Sequence, residues 1–129
     1  MNNITDNIKI GTIGEILVQL RLLENGIQAA PPIKDSGNDL IAIRGESFRA
    51  IQVKTTSGDK FDKSNLDRLF HVLAVVHLVD DDKMIYLDKS SVFLIPKKQI
   101  TTISNKIVDL KEFRITPELI NNLWKDPCF

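Results

Sequence analysis

Three polar residues in one stretch of this chain have the types and spacing that phosphate-ester hydrolysis requires: Asp39, Gln52 and Lys54, all within DLIAIRGESFRAIQVKT (39–55). Gly45-Glu46 predicts the tip of a tight two-residue hairpin, because glycine takes up the left-handed backbone that such turns demand. That tip sets Asp39 opposite Gln52, Ile41 opposite Ala50 and Ile43 opposite Phe48. Side chains alternate along a strand, so Asp39, Gln52 and Lys54 project to one side. Directly opposed residues hold their Cβ atoms roughly 4.5–5.5 Å apart, which lets one divalent ion touch Asp39 and groups near Gln52. Phosphodiester hydrolysis needs positive charge at the non-bridging oxygens, a nucleophilic water and help for the departing oxygen. Magnesium supplies much of this from one or two carboxylates plus water and substrate.

A second carboxylate is available from the N-terminal segment. From Ile4 to Gly26 the residues Ile10, Ile13, Leu17, Leu20 and Leu23 recur at helical spacing, and Gly26 is placed to stop the helix. On that helix Glu15 shares a face with Gly11, Val18 and Leu22, which points it toward a sheet rather than to solvent. Gly11 and Gly14 each cost roughly 1 kcal/mol relative to alanine in a helix interior unless a close backbone approach compensates. Gln19, one turn beyond Glu15, either reaches the same site or lies on the surface. Plainer readings exist for every one of these residues. Asp39 also suits an Asx-type turn before a strand, Glu15 an exposed helix carboxylate, and Gln52 and Lys54 a solvated strand face. Ala50 and Phe48 share that last face, however, and make it largely apolar.

The remaining elements must position this group. Ala29-Ala30-Pro31-Pro32 and Lys34 to Asn38 read as an irregular connection. After the hairpin, Ser57 to Ser64 reads as a loop, with Ser64 as the cap of a helix through about Leu69 to Val72. Leu73 to Val79 is a near-continuous apolar run, the pattern of a strand buried on both faces. Asp80-Asp81-Asp82 turns the chain, Met84 to Leu87 and Val92 to Ile95 read as two further strands, and Pro117 to Trp124 as a helix capped by Thr116. The fold class is therefore α/β: a mixed central β-sheet flanked by helices.

With 129 residues, 43% hydrophobic and 26% charged, the chain suits one globular domain, 1–129. The single Cys128 forms no internal disulfide, and no apolar run resembles a signal peptide or membrane span, so a cytoplasmic protein without a membrane partner is expected. Seventeen basic residues balance seventeen acidic ones, so any nucleic-acid binding must rest on a local patch. Lys60, Lys63 and Arg68 are candidates to contact phosphates flanking a cleavage site, although Asp59, Asp62 and Asp67 are interleaved with them. Lys97-Lys98 is a further, less specific pair. His71 and His77 lack the partners of a zinc site and read as core or edge residues. The three aspartates at 80–82 lack calcium-loop spacing.

Glu15 in the first helix, Asp39 opening a strand and Gln52-Val53-Lys54 ending the next resemble the PD-(D/E)XK nuclease superfamily, in the E…D…QxK variant with glutamine for the second acid. Gly11-Thr12-Ile13-Gly14-Glu15, Gly37-Asn38-Asp39 and the QVK triplet are similar to Holliday-junction resolvases and intron-encoded homing endonucleases of this fold, over Gly11 to Thr55. The resemblance implies a restriction-endonuclease-like fold and a Mg2+-dependent DNA endonuclease, with Mn2+ able to substitute. It implies a catalytic set of Glu15, Asp39, Gln52 and Lys54, and metal ligation by Glu15, Asp39, Gln52 and the Val53 backbone carbonyl. Lysine would orient the attacking water, and glutamine would weaken the metal site by removing a charge. So short a chain cannot surround a duplex and cut both strands, which makes a homodimer the expected assembly. The competing readings are a catalytically weak or inactive nuclease-fold protein serving as a nucleic-acid-binding or protein-interaction module, and an enzyme acting on RNA or nucleotides.

Overall fold

In the computed structural model, which describes residues 4–33, 39–66 and 69–126, the chain begins with a side-chain cap. Thr5 Oγ1 accepts a hydrogen bond from the Ile8 amide at 3.3 Å and starts helix α1, Asp6–Glu24. Gly26, with φ +79°, ends it, and the Ile27 amide donates back to the Leu22 carbonyl at 2.9 Å. Gly37, Asn38, Asp67, Arg68 and Cys128, which the sequence reading uses, lie outside the described residues.

Five strands follow: β1 (Gln28–Ala30), β2 (Leu40–Arg44), β3 (Ser47–Thr56), β4 (Val72–Asp80) and β5 (Ile85–Pro96). They form one sheet in the order β1-β2-β3-β4-β5, parallel between β3 and β4 and antiparallel elsewhere. This is the expected α/β class with a mixed sheet. The hairpin register is also as expected, with Ile41 opposite Ala50, Ile43 opposite Phe48, and Gly45 at φ +60°. A final helix, α2, runs from Pro117 to Trp124 behind its Thr116 cap. No helix among the described residues is long and apolar enough to cross a membrane.

Three expectations need correction. The segment before Pro31 is not irregular: Gln28 to Ala30 pair with Ile43 to Ile41 as an edge strand, where a following proline removes no ladder bond. The described residues of 57–71 contain no helix. Ser64 is already committed, since its amide (2.8 Å) and its hydroxyl (2.5 Å) both donate to Asp62 Oδ1, and Asn65 then takes φ +57°, outside the right-handed helical region. Finally, the two strands expected at 84–87 and 92–95 are one long strand, β5. Polar Lys89-Ser90-Ser91 suggests a break. Instead, Ser90 Oγ accepts from the Val79 amide (2.9 Å) and donates to the Tyr86 carbonyl (2.8 Å), bridging the register shift between His77 and Val79.

Each face of the sheet has its own core. α1 and α2 cover the first, where Leu17, Val18 and Leu22 meet Leu40, Ile51, Ala74, Val76 and Leu94 with Trp124. Three short 3-10 turns (Lys97–Gln99, Ile107–Asp109 and Lys111–Phe113), with Phe61, Leu66 and Phe70, cover the second, around Leu73, Val75, Phe93 and Leu110. That is why β4 reads as continuously apolar. Trp124 and Phe113 are packing residues, as expected, at 2% and 4% exposure. Arg49 is buried as well, and it secures α2. Its Nε donates to the Leu123 carbonyl and its Nη2 to the Asp126 carbonyl, both at 2.8 Å.

His71 joins β3 to the start of β4. Its amide donates to the Ala50 carbonyl, and its Nδ1 accepts from the Ala50 amide, each at 2.8 Å. Burial first, then the charges of Arg49 and Lys97, hold its pKa below 6.5. A histidine whose folded pKa is depressed contributes stability that is full above the unfolded value and lost as pH falls through the folded one. Stability is therefore expected to fall as pH drops below 6.5. His71→Gln should flatten that part of the profile, as read by chemical denaturation between about pH 8 and about pH 5.

Candidate functional site

β3 is longer than its neighbour β2, and the site lies where it overhangs. The β2 ladder stops at Leu40 opposite Ile51, whereas β3 continues to Thr56, paired among the described residues only with β4. Among the described residues, 52–56 therefore have one open edge. Val53 and Thr55 face the α1 side and Lys54 the other, but both faces reach this edge. Asp39 lies at the same place: its amide donates to the Ile51 carbonyl at 3.0 Å, and its Oδ2 accepts from the Val53 amide at 2.7 Å. In an extended strand the N–H and C=O of one residue point the same way, so the Val53 carbonyl faces this edge beside Asp39.

α1 closes the other side of the space. A Cβ built on Gly14 would stand 1.9 Å from Thr55 Oγ1 and 2.9 Å from Thr55 Cβ, so only glycine lets the helix lie this close to β3. That contact brings the next residue, Glu15, to the open edge. The result is a cavity of about 370 Å³ lined by Asn7, Ile10, Gly11, Glu15, Asp39, Val53, Lys54 and Thr55. Burial first, and then the Asp39 charge, push the Glu15 carboxyl pKa above 4.5. Among the described residues neither Glu15 nor Asp39 takes part in an ion pair. No cluster of three or more His, Cys, Asp or Glu side chains able to hold a metal occurs there either. What the cavity offers is two carboxylates and a backbone carbonyl, an all-oxygen donor set that suits a hard divalent cation keeping most of its water.

The structure thus brings Glu15, Asp39, Val53 and Lys54 together and leaves the other candidates outside. Gln52 sits half-buried in register with Leu73 and does not line the cavity. Gln19 turns away: its Nε2 donates to the Glu15 carbonyl at 3.4 Å, and it borders a separate apolar groove with Ile16, Leu20 and Leu23. Lys63 Nζ is committed to the Ile103 carbonyl at 2.7 Å. Lys60 is exposed, and its backbone pairs with that of Lys106, also exposed, in an isolated antiparallel bridge. Lys54 is near enough to Asp62 to help lower its pKa, after the larger effects of the Ser64 hydroxyl and amide. Arg68 lies outside the described residues. Asn7 was missed too, yet Asn7, Gly11 and Glu15 are four residues apart, the spacing of one helical face.

The raised Glu15 pKa has a consequence for stability. A carboxyl with a raised folded pKa contributes stability that is full below its unfolded pKa and lost as pH rises through the folded value. Ionised Glu15 therefore opposes folding at neutral pH. Glu15→Gln should melt higher than the unsubstituted protein near neutral pH, and the difference should vanish as pH falls toward 4.5, measured by thermal denaturation without divalent cations. Equal melting at every pH is the contrary result.

No protein-family model matches the chain. No curated protein matches it in sequence either. Among solved structures, it is similar to a bacterial homing endonuclease, I-Ssp6803I, with a TM-score of 0.64 and 13% sequence identity over 94% of this chain and 94% of that one. The chain has the α/β fold of that nuclease structure, a mixed five-stranded sheet with two helices.

Proposed function

We propose that this protein is a magnesium-dependent endonuclease acting on DNA, with manganese able to replace magnesium. The observation that carries this reading is the meeting of Glu15 and Asp39 with Lys54 in one cavity at the open edge of β3. The fold of a homing endonuclease adds to it. Glu15, Asp39 and the Val53 carbonyl would hold the cation. When bound, it supplies positive charge against the non-bridging oxygens and helps activate the attacking water.

The chain's own residues account for the rest. The Val53 amide fixes one carboxylate oxygen of Asp39 and leaves the other for a ligand. Gly14 against Thr55 sets the depth of Glu15. Lys54 orients the water and balances charge gathering on the phosphate. Gln52 is neutral and does not line the cavity, so the site relies on two carboxylates rather than three. For a two-stranded substrate, two copies of the site are needed. The outer face of α1 suits a homodimer interface, since Ile16, Leu20 and Leu23 are 57%, 44% and 61% exposed on the side opposite the core.

The position of Gln52 outside the cavity also favours the second reading, a nuclease-fold module that binds nucleic acid or protein without cutting. The tests separate the two. Cleavage of plasmid, branched and single-stranded DNA should require magnesium, stop with chelator, and fall about a hundredfold or more in Lys54→Ala. Chelator-resistant cleavage, or full activity in that variant, sinks the mechanism. Manganese should raise the melting temperature of the unsubstituted protein but not of Asp39→Asn, and a module without a metal site shows no such increase. In sedimentation, the chain should run as a dimer and Leu20→Glu with Leu23→Glu as a monomer.

A further inference from the structure

Two glycines stand three residues apart in α1, and packing accounts for only one of them. Gly14 is required because any Cβ would collide with Thr55. Gly11 has no such neighbour among the described residues: a Cβ there meets none of them within 4 Å, and its φ is not in the left-handed region that favours glycine. Alanine at 11 would fit and would strengthen the helix. Gly11 does, however, line the cavity, between Asn7 and Glu15 on the same helical stripe and across from Asp39, Val53, Lys54 and Thr55.

We infer that Asn7 and Gly11 form the seat of the DNA backbone leading to the Glu15–Asp39 carboxylates, with Gly11 leaving open the space the strand occupies and Asn7 contacting it. This rests on the endonuclease reading and adds to it the residues that hold the substrate strand. The stripe from Asn7 to Glu15 covers nine residues, about 12 Å along the helix axis, against a rise of about 3.4 Å per nucleotide of one strand. Such a stripe is long enough to follow about three nucleotide steps of a strand. Its chemistry agrees. A phosphate backbone approaching two carboxylates needs a wall without further negative charge, and Asn7, Ile10 and Gly11 give it an amide donor, an apolar patch and bare backbone. Asn7 is exposed, so its amide is accessible to a phosphate or sugar oxygen.

Gly11→Ala, Gly11→Leu and Asn7→Ala test the seat, with duplex DNA binding followed by fluorescence anisotropy alongside melting and manganese titration. Both Gly11 variants should melt at or above the unsubstituted protein and titrate manganese as it does. Gly11→Leu should weaken DNA binding by about tenfold or more, with Gly11→Ala in between. Asn7→Ala should weaken binding severalfold without changing its salt dependence, whereas Lys54→Ala should reduce that dependence, because only a cationic contact releases counterions. DNA binding by Gly11→Leu equal to that of the unsubstituted protein overturns the seat, as does binding of a mononucleotide as tight as binding of DNA. If Gly11→Leu weakens binding while cleavage survives chelator, the endonuclease mechanism fails and the seat stands.

Discussion

The close approach of α1 to β3 at Gly14 and Thr55 is the contact on which the site depends. A helix normally stands off a sheet by the length of its side chains. Here one residue without a Cβ lets the helix backbone settle onto the Thr55 side chain, at a separation no other amino acid would allow. The same contact does two jobs. It closes the first core over Leu17, Val18 and Leu22, and it carries Glu15 to the end of β2, where the Asp39 charge acts on it.

The sheet contributes the complementary feature, unequal strand lengths. Had β2 matched β3, residues 52–56 would be paired on both sides and the Val53 amide and carbonyl consumed by the ladder. Because β2 begins at Leu40, Asp39 is left to receive the Val53 amide in place of a strand partner. The parallel pairing of β3 with β4 then holds the overhang from its other side, while Ala50 and His71 fasten the beginning of β4. Rigid pairing on one side and an open edge on the other place Lys54 and Thr55, from opposite faces of one strand, around a single cavity.

If the cavity binds cation and DNA as proposed, function and stability oppose each other within it. Glu15 is half-buried beside a like charge, and Gly11 weakens its helix without a packing return. Elsewhere the chain resolves such conflicts: buried Arg49 satisfies the carbonyls at the end of α2, and Ser90 fills the irregularity between β4 and β5. Costs left uncompensated in the free protein and concentrated at one site are what a ligand-binding cavity produces, because the compensation arrives with the ligand.

Much of the fold was legible from local rules. Gly45 set the hairpin register, Gly26 ended α1, Thr116 and Pro117 opened α2, and the apolar run in β4 announced a strand buried on both faces. Residue types and their spacing also singled out Glu15, Asp39 and Lys54, since alternation and helical periodicity are properties of the chain itself. Local rules failed where a side chain found an unexpected partner: Ser64 with Asp62 in place of a helix cap, Ser90 within a continuous β5, and three residues before Pro31 on an edge strand. By itself, then, the sequence determined which groups could do chemistry and which elements carry them. Tertiary structure alone decided that Gln52 stays outside the cavity while Asn7 and Thr55 enter it, because that depends on where β2 stops and how near α1 approaches, and both are set by packing between segments far apart in the chain.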